Sequence, residues 1–412
     1  QGIIPKNDVT LYGYGTKLKL PFTTTPNKPI ITYNSDTMLV NFNMYGINFA
    51  DENTTKTLDL VQITQPSWDA PTKTWYMSVV KDCFFNGGVN GLYCPVPGSV
   101  KIDSCFFDNC DVGLKWEEEH FYINNSVFWD CRIGIDSNVG NHFSCINGVF
   151  AHCDEYGVKW NGFESAFIGC SFIDNKLGGI YGSFENARIQ GNRILQCAKG
   201  IFVDGQYNLI TDNQIANGVS ARDIVDSTDV TGIHVTGNAL FNLISDNTVV
   251  DFYDGIVVNG RNNTISGNDI ARCAENGVEN NSNTNSSIGN KIHKAGVGIL
   301  NKASIQDALI NDNSITSCDR EGIIFDGSVT GLNLNNNQIV DNGLIVANTH
   351  SGVLFKAQII AGIINANLIR NSGIREMKYG IEMESNPYSS DVLINGNVTR
   401  NLKSTYGYVL TA

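Results

Sequence analysis

Residues 243–258 read LISDNTVVDFYDGIVV, and residues 264–280 read TISGNDIARCAENGVEN. Isoleucine (Ile244, Ile265), asparagine (Asn247, Asn268) and a glycine followed by an apolar residue (Gly255-Ile256, Gly277-Val278) return 21 or 22 residues apart. The pattern spreads outward from here over most of the chain. Fourteen glycines precede a large apolar residue: Gly91, Gly113, Gly134, Gly157, Gly179, Gly200, Gly232, Gly255, Gly277, Gly298, Gly322, Gly352, Gly380 and Gly407. Nine of the thirteen intervals are 21–24 residues, and the four longer ones follow Gly200, Gly322, Gly352 and Gly380. Strand-like sequence at a fixed period with occasional longer rungs predicts a β-solenoid with inserted loops.

Other columns keep step with the glycines. Cys83, Cys105, Ser126, Gly148 and Cys170 give way to nine asparagines: Asn192, Asn213, Asn247, Asn268, Asn290, Asn313, Asn337, Asn367 and Asn397. Stacked amides can pass hydrogen bonds from coil to coil at an inward turn. A further column holds Cys110, Cys131, Cys153, Cys197, Cys273 and Cys318, and residues such as Ile123, Phe167 and Ile210 form an apolar one. Each rung can bury such a face only against its neighbours. The expectation is an all-β chain, a right-handed single-stranded parallel β-helix of about 14 or more rungs. Residues 1–80 read as irregular first coils. Residues 81–412 read as regular rungs with insertions near 216–231, 340–351 and 371–379.

Composition narrows the function. The net charge of -13 lacks the basic stripe that nucleic acid requires. No run reads as long and apolar enough for membrane insertion, and no stretch reads as a signal peptide, so neither is expected. The chain starts Gln-Gly-Ile-Ile-Pro without a methionine, which reads as a mature form or an excised piece. The eleven cysteines lack metal-ligand spacing and fall in inward columns. They read as reduced, packed thiols of a protein folded in a reducing cytosol. No metal and no cofactor are expected.

Two constellations carry possible chemistry. Six residues before the Cys/Asn column stand His120, His142, Glu164 and Asn186, 22 residues apart, which would stack on one outer wall. Two residues further on are Tyr122, Ser144, Ala166 and Arg188, and Glu119 lies in the turn feeding the wall. Glu164, His142, His120 and Glu119 are the first candidates for general acid/base work on a polymer. Tyr122, Arg188, Asn186 and Asp136 are candidates for binding it. Asp204, Asp226, Asp229, His234 and Asp254, around the first insertion, form a second candidate catalytic group. An outward stripe of Phe202, Val257, Leu300, Ile324 and Leu354 should not face water. Contact with other subunits around a threefold axis is expected to cover it, ahead of cover by a local loop.

Rungs such as Leu209-Ile-Thr-Asp-Asn-Gln-Ile215 and Leu309-Ile-Asn-Asp-Asn-Ser-Ile315 resemble right-handed parallel β-helix proteins of the pectate-lyase-like superfamily. Within that group the chain is similar to bacteriophage tailspike or tail-fibre depolymerases. The resemblance implies a homotrimer on a virion tail that binds and depolymerises a bacterial capsule, O-antigen or teichoic-type polymer. Glycosidic hydrolysis is expected ahead of β-elimination. A non-catalytic glycan-binding adhesin and a secreted polysaccharide lyase or epimerase stay open as alternatives. The family shares no single catalytic motif, so no catalytic residue transfers by position.

Overall fold

The computed structural model describes residues 10–19, 29–34, 43–51, 59–64, 77–95, 99–117, 119–218, 230–346, 349–372, 377–384, 390–400, 402 and 404–408. The chain forms two compact units, residues 1–197 and 198–412. The described residues contain strands and turns and no helix, so none that could cross a membrane.

Each coil has three sides. In the first unit one coil is Val112–Trp116, Glu119–Asn124 and Val127–Trp129. In the second unit one coil is Asp254–Val258, Thr264–Ser266 and Asp269–Ala271. The first strand of each coil carries the repeating glycine and defines the glycine side. Every side pairs in parallel and in register with the same side one coil on, as Ile256 with Val278, Ile265 with Ser287 and Ile270 with Ile292.

The repeating glycine is set by packing. A Cβ on Gly113 would stand 2.7 Å from Phe128 Cδ1 and 2.7 Å from the Gly134 carbonyl oxygen, and one on Gly255 would stand 2.5 Å from the Gly277 oxygen. The third side leans its large inward residue onto the glycine of its own coil. In the first unit that residue is phenylalanine as far as Phe172 and then Ile194. Phe85, Phe107, Phe128, Phe150 and Phe172 stack with centroids 4.6–4.8 Å apart and planes within 6°.

The sides meet at corners that the sequence did not reveal. One residue at each corner has a left-handed backbone, with φ of 62° at His120, 52° at His142, 49° at Glu164 and 56° at Asn186 on the corner after the glycine side. Asn, Asp and Gly crowd the other corners because they tolerate this conformation best.

The residue after such a corner turns inward. At the second corner of the second unit it is asparagine from Asn213 to Asn397, each backbone N–H donating to the next side-chain oxygen. A second ladder that the sequence reading missed runs Asn208, Asn242, Asn263 and Asn285, five residues ahead of the first. All eleven cysteines are buried and none forms a disulfide.

One expectation is overturned here. Val257, Leu300, Ile324 and Leu354 are 5–8 % exposed in the single chain. Leu300, Ile324 and Leu354 form a buried cluster with Val297, and strands Asp254–Val258, Asn276–Asn280 and Val297–Asn301 are buried at all five positions. The chain itself covers these four residues, whereas Phe202, the first of the stripe, is half-buried.

Candidate active site

The wall expected from the sequence assembles in the first unit. The His120 and His142 rings stack at 4.6 Å with planes 11° apart. His142 Nδ1 lies 2.7 Å from Glu164 Oε2, and both side chains are well exposed. Tyr122, Ser144, Ala166 and Arg188 follow one another in register. Tyr122 and Arg188 are therefore three coils apart, about 14 Å at ordinary strand spacing. Glu119 is in register with Asn141, and Asn186 is exposed at the next corner after Glu164. Asp136 stands elsewhere, on the glycine side between Lys115 and Lys159.

The second constellation is more unusual. Asp226 and Asp229 lie outside the described residues. Asp204 accepts the Thr236 hydroxyl. Asp254 sits immediately before its glycine and is buried, as is Glu279 on the next coil. Asn276 joins them. Its Nδ2 donates to Asp254 Oδ1 at 2.9 Å and to Glu279 Oε2 at 2.8 Å, and its backbone N–H also donates to Asp254 Oδ1, at 3.1 Å. Lys302 Nζ and Asn281 Nδ2 both reach Glu279 Oε1, at 2.9 and 2.8 Å. Two buried carboxylates thus share one lysine.

The electrostatics follow. Burial, then the Glu279 charge, push the Asp254 carboxyl up from 3.8 to about 6, against the hydrogen bonds from Asn276. Both of those bonds go to Oδ1, which leaves Oδ2 to carry the proton. Glu279, accepting three charge-compatible donors, is the ionised partner. Elsewhere on this side buried carboxylates have a partner each: His350 Nδ1 at 2.9 Å from Glu321, and Lys378 on Glu382. Asp254 and Glu279 have one lysine between them, bonded to Glu279.

Two further groups mark the place. Asn276 Oδ1 and Asn281 Oδ1 are buried acceptors with no hydrogen-bond partner. Such atoms cost about 1–3 kcal/mol each unless something donates to them.

Residues 225–399 match the family described as right handed beta helix region. The fold is a right-handed parallel β-helix. Residues 30–230 of this β-helix also match the family described as periplasmic copper-binding protein NosD. The described residues do not fit a copper centre. No group of three His, Cys, Asp or Glu is placed to hold a metal ion, and the His120 and His142 rings lie face to face.

Solved structures similar to this β-helix include the A-module of mannuronan C-5 epimerase AlgE6 of Azotobacter vinelandii (12% identity, 98% of this chain and 88% of that one, TM-score 0.29). Others are the surface adhesin PfbA of Streptococcus pneumoniae (11%, 80% and 85%, TM-score 0.39) and the Dettilon tailspike protein (12%, 90% and 61%, TM-score 0.36). No curated protein matches the chain by sequence. Likenesses this remote say nothing about chemistry at Asp254.

Of the second-choice residues, the β-helix brings His234 and Asp254 into one network and leaves Asp204 bonded to Thr236. Glu279, Asn276, Asn281, Asn259 and Lys302 were missed. The signal was present: Glu279 stands in the outward column between Val257 and Leu300, a carboxylate inside an apolar stripe.

Proposed function

We propose that this β-helix binds and depolymerises a bacterial cell-surface polysaccharide, by glycosidic hydrolysis at Asp254 and Glu279. The observation that carries the reading is the Asn276 amide nitrogen shared by the two carboxylates, one of them protonated up to about pH 6. Hydrolysis needs this division of roles, an acid held neutral and a base held ionised. Asp254 Oδ2 gives its proton to the glycosidic oxygen as the bond to the anomeric carbon breaks. Glu279, brought close by the shared nitrogen, suits attack on that carbon, and water then releases the sugar.

A polymer is favoured over a small glycoside by the resemblance of the rungs to tailspikes. The bacterial source of the polymer and carriage on a phage tail as a homotrimer rest on the same resemblance. The buried apolar stripe no longer argues for the trimer. The exposed His142–Glu164 pair favours a secondary role for the first-unit wall, with Tyr122 and Arg188, in binding the chain.

The test is incubation with a panel of capsular, O-antigen and teichoic-type polymers. New reducing ends without absorbance near 235 nm support hydrolysis, and absorbance there marks a lyase. Binding without cleavage across the panel marks an adhesin.

The raised carboxyl sets the pH dependence. Activity requires protonated Asp254, so kcat/KM is expected to level off below about pH 6 and to fall about tenfold per unit above it. Stability gives an activity-free check. The folded chain holds the Asp254 proton more tightly than the unfolded chain, so stability is highest below the unfolded value of 3.8 and declines as pH rises through about 6. The shift corresponds to about 3 kcal/mol, and Asp254→Asn should remove that slope from urea titrations.

A further inference from the structure

Glu279 has a longer reach than its first partners. A carboxylate only accepts, so Asn281 must turn its amide nitrogen toward Glu279 Oε1, at 2.8 Å. The same nitrogen donates to Asn259 Oδ1 at 2.7 Å. With its oxygen committed there, Asn259 turns its own nitrogen to His234 Nε2, at 3.0 Å. An amide nitrogen cannot accept, so Nε2 must be the acceptor and the ring proton resides on Nδ1. The polarity of the whole chain is dictated from its carboxylate end.

The imidazole is held in place to receive this. The strand Lys199–Asp204 sets Phe202 edge-on against it at 5.1 Å, with Lys199 and Asp204 the charged groups of that strand. On the other flank His234 is in register with Val257, whose strand carries Asp254, and Val257 with Glu279 one coil further.

We propose that His234 is a positioning residue for Glu279. Acting through Asn259 and Asn281, the Nδ1-protonated ring holds the carboxylate in the orientation that shares Asn276 with Asp254. Protonating Nε2 sets two donors against each other, so Asn259 must turn and Asn281 loses the oxygen it donates to. Glu279 is then free to move away from Asp254. The inference rests on Glu279 and Asp254 being the reacting pair, but its test needs no substrate.

The experiment is NMR on the full chain with 15N-labelled histidine and 13C-labelled aspartate side chains. At pH 8 the wild type is expected to show His234 with a bare Nε2 and a protonated Nδ1. Asn259→Asp presents only acceptors to the ring and should move the proton to Nε2. Asn259→Ala, which breaks the chain without imposing a tautomer, should move the midpoint of the Asp254 carboxyl titration by at least half a pH unit, because Glu279 has shifted. Thermal melts confirm that both variants are folded.

A wild-type ring protonated on Nε2, or a tautomer unchanged in Asn259→Asp, overturns the proposal. So does an Asp254 midpoint that stays put in Asn259→Ala. A Glu279→Gln protein with full cleaving activity would instead refute the catalytic reading and leave the relay standing.

Discussion

Glu279→Gln should lower kcat for polysaccharide cleavage by about a thousandfold with little change in KM, the loss typical of removing a group that acts in the transition state. The side chains are nearly equal in shape, and the glutamine oxygen can still accept from Asn281 and Lys302, as Oε1 does, while its amide nitrogen takes the place of the oxygen that meets Asn276. The fold survives while the negative charge that attacks the anomeric carbon is gone. Asp254→Asn should cost as much on the natural polymer, because the leaving sugar oxygen then departs unprotonated. The two variants separate on an aryl glycoside whose phenolate leaves without help. There Asp254→Asn should recover most of its rate and Glu279→Gln should recover none. Comparable recovery by both would show that the roles are assigned wrongly. Full activity of both on the polymer would move the chemistry elsewhere, first to His142 and Glu164.

The second large effect concerns folding. Asn268 Oδ1 accepts from the Asn247 backbone N–H and side-chain amide, both at 3.0 Å. Its Nδ2 donates to the Ile244 carbonyl at 3.0 Å and to Asn290 Oδ1 at 2.9 Å. Asn268→Ala leaves the buried Asn247 N–H and the Ile244 oxygen without these partners. At about 1–3 kcal/mol for each stranded group, a loss of about 3 kcal/mol or more is expected in chemical denaturation. A change below about 1 kcal/mol would mean that water or a backbone shift replaces the ladder bonds.

The sequence made the solenoid legible because coil-to-coil contact repeats a physical demand. An asparagine that bonds upward and downward needs another at the same place in the next turn. A phenylalanine or isoleucine leaning on a glycine needs that glycine once per coil. The second ladder escaped notice because Asn208 and Asn242 are separated by the first insertion, in a chain where asparagine is common. The His120–His142–Glu164 wall was legible as register. Its left-handed corners were not, since φ depends on how the two sides meet.

The acid pair was half read. Asp254 was picked out as an acidic residue near an insertion, but Glu279 was passed over inside a stripe taken for a subunit contact. Register can be counted along a sequence, whereas depth cannot. Burial pushes the Asp254 carboxyl up to about 6 and leaves Val257 with almost no surface for a partner chain, and neither depth can be counted along a sequence.

The eleven thiols have a practical consequence. All are sealed inside the coils, and burial holds Cys318, for example, up to about 12, so almost none of it is thiolate at neutral pH. A folded molecule should be silent to a bulky maleimide dye, and a molecule whose coils come apart should take up label at up to eleven places. The chain therefore carries its own gauge of denaturation, one that reads loss of structure coil by coil without any engineered tag.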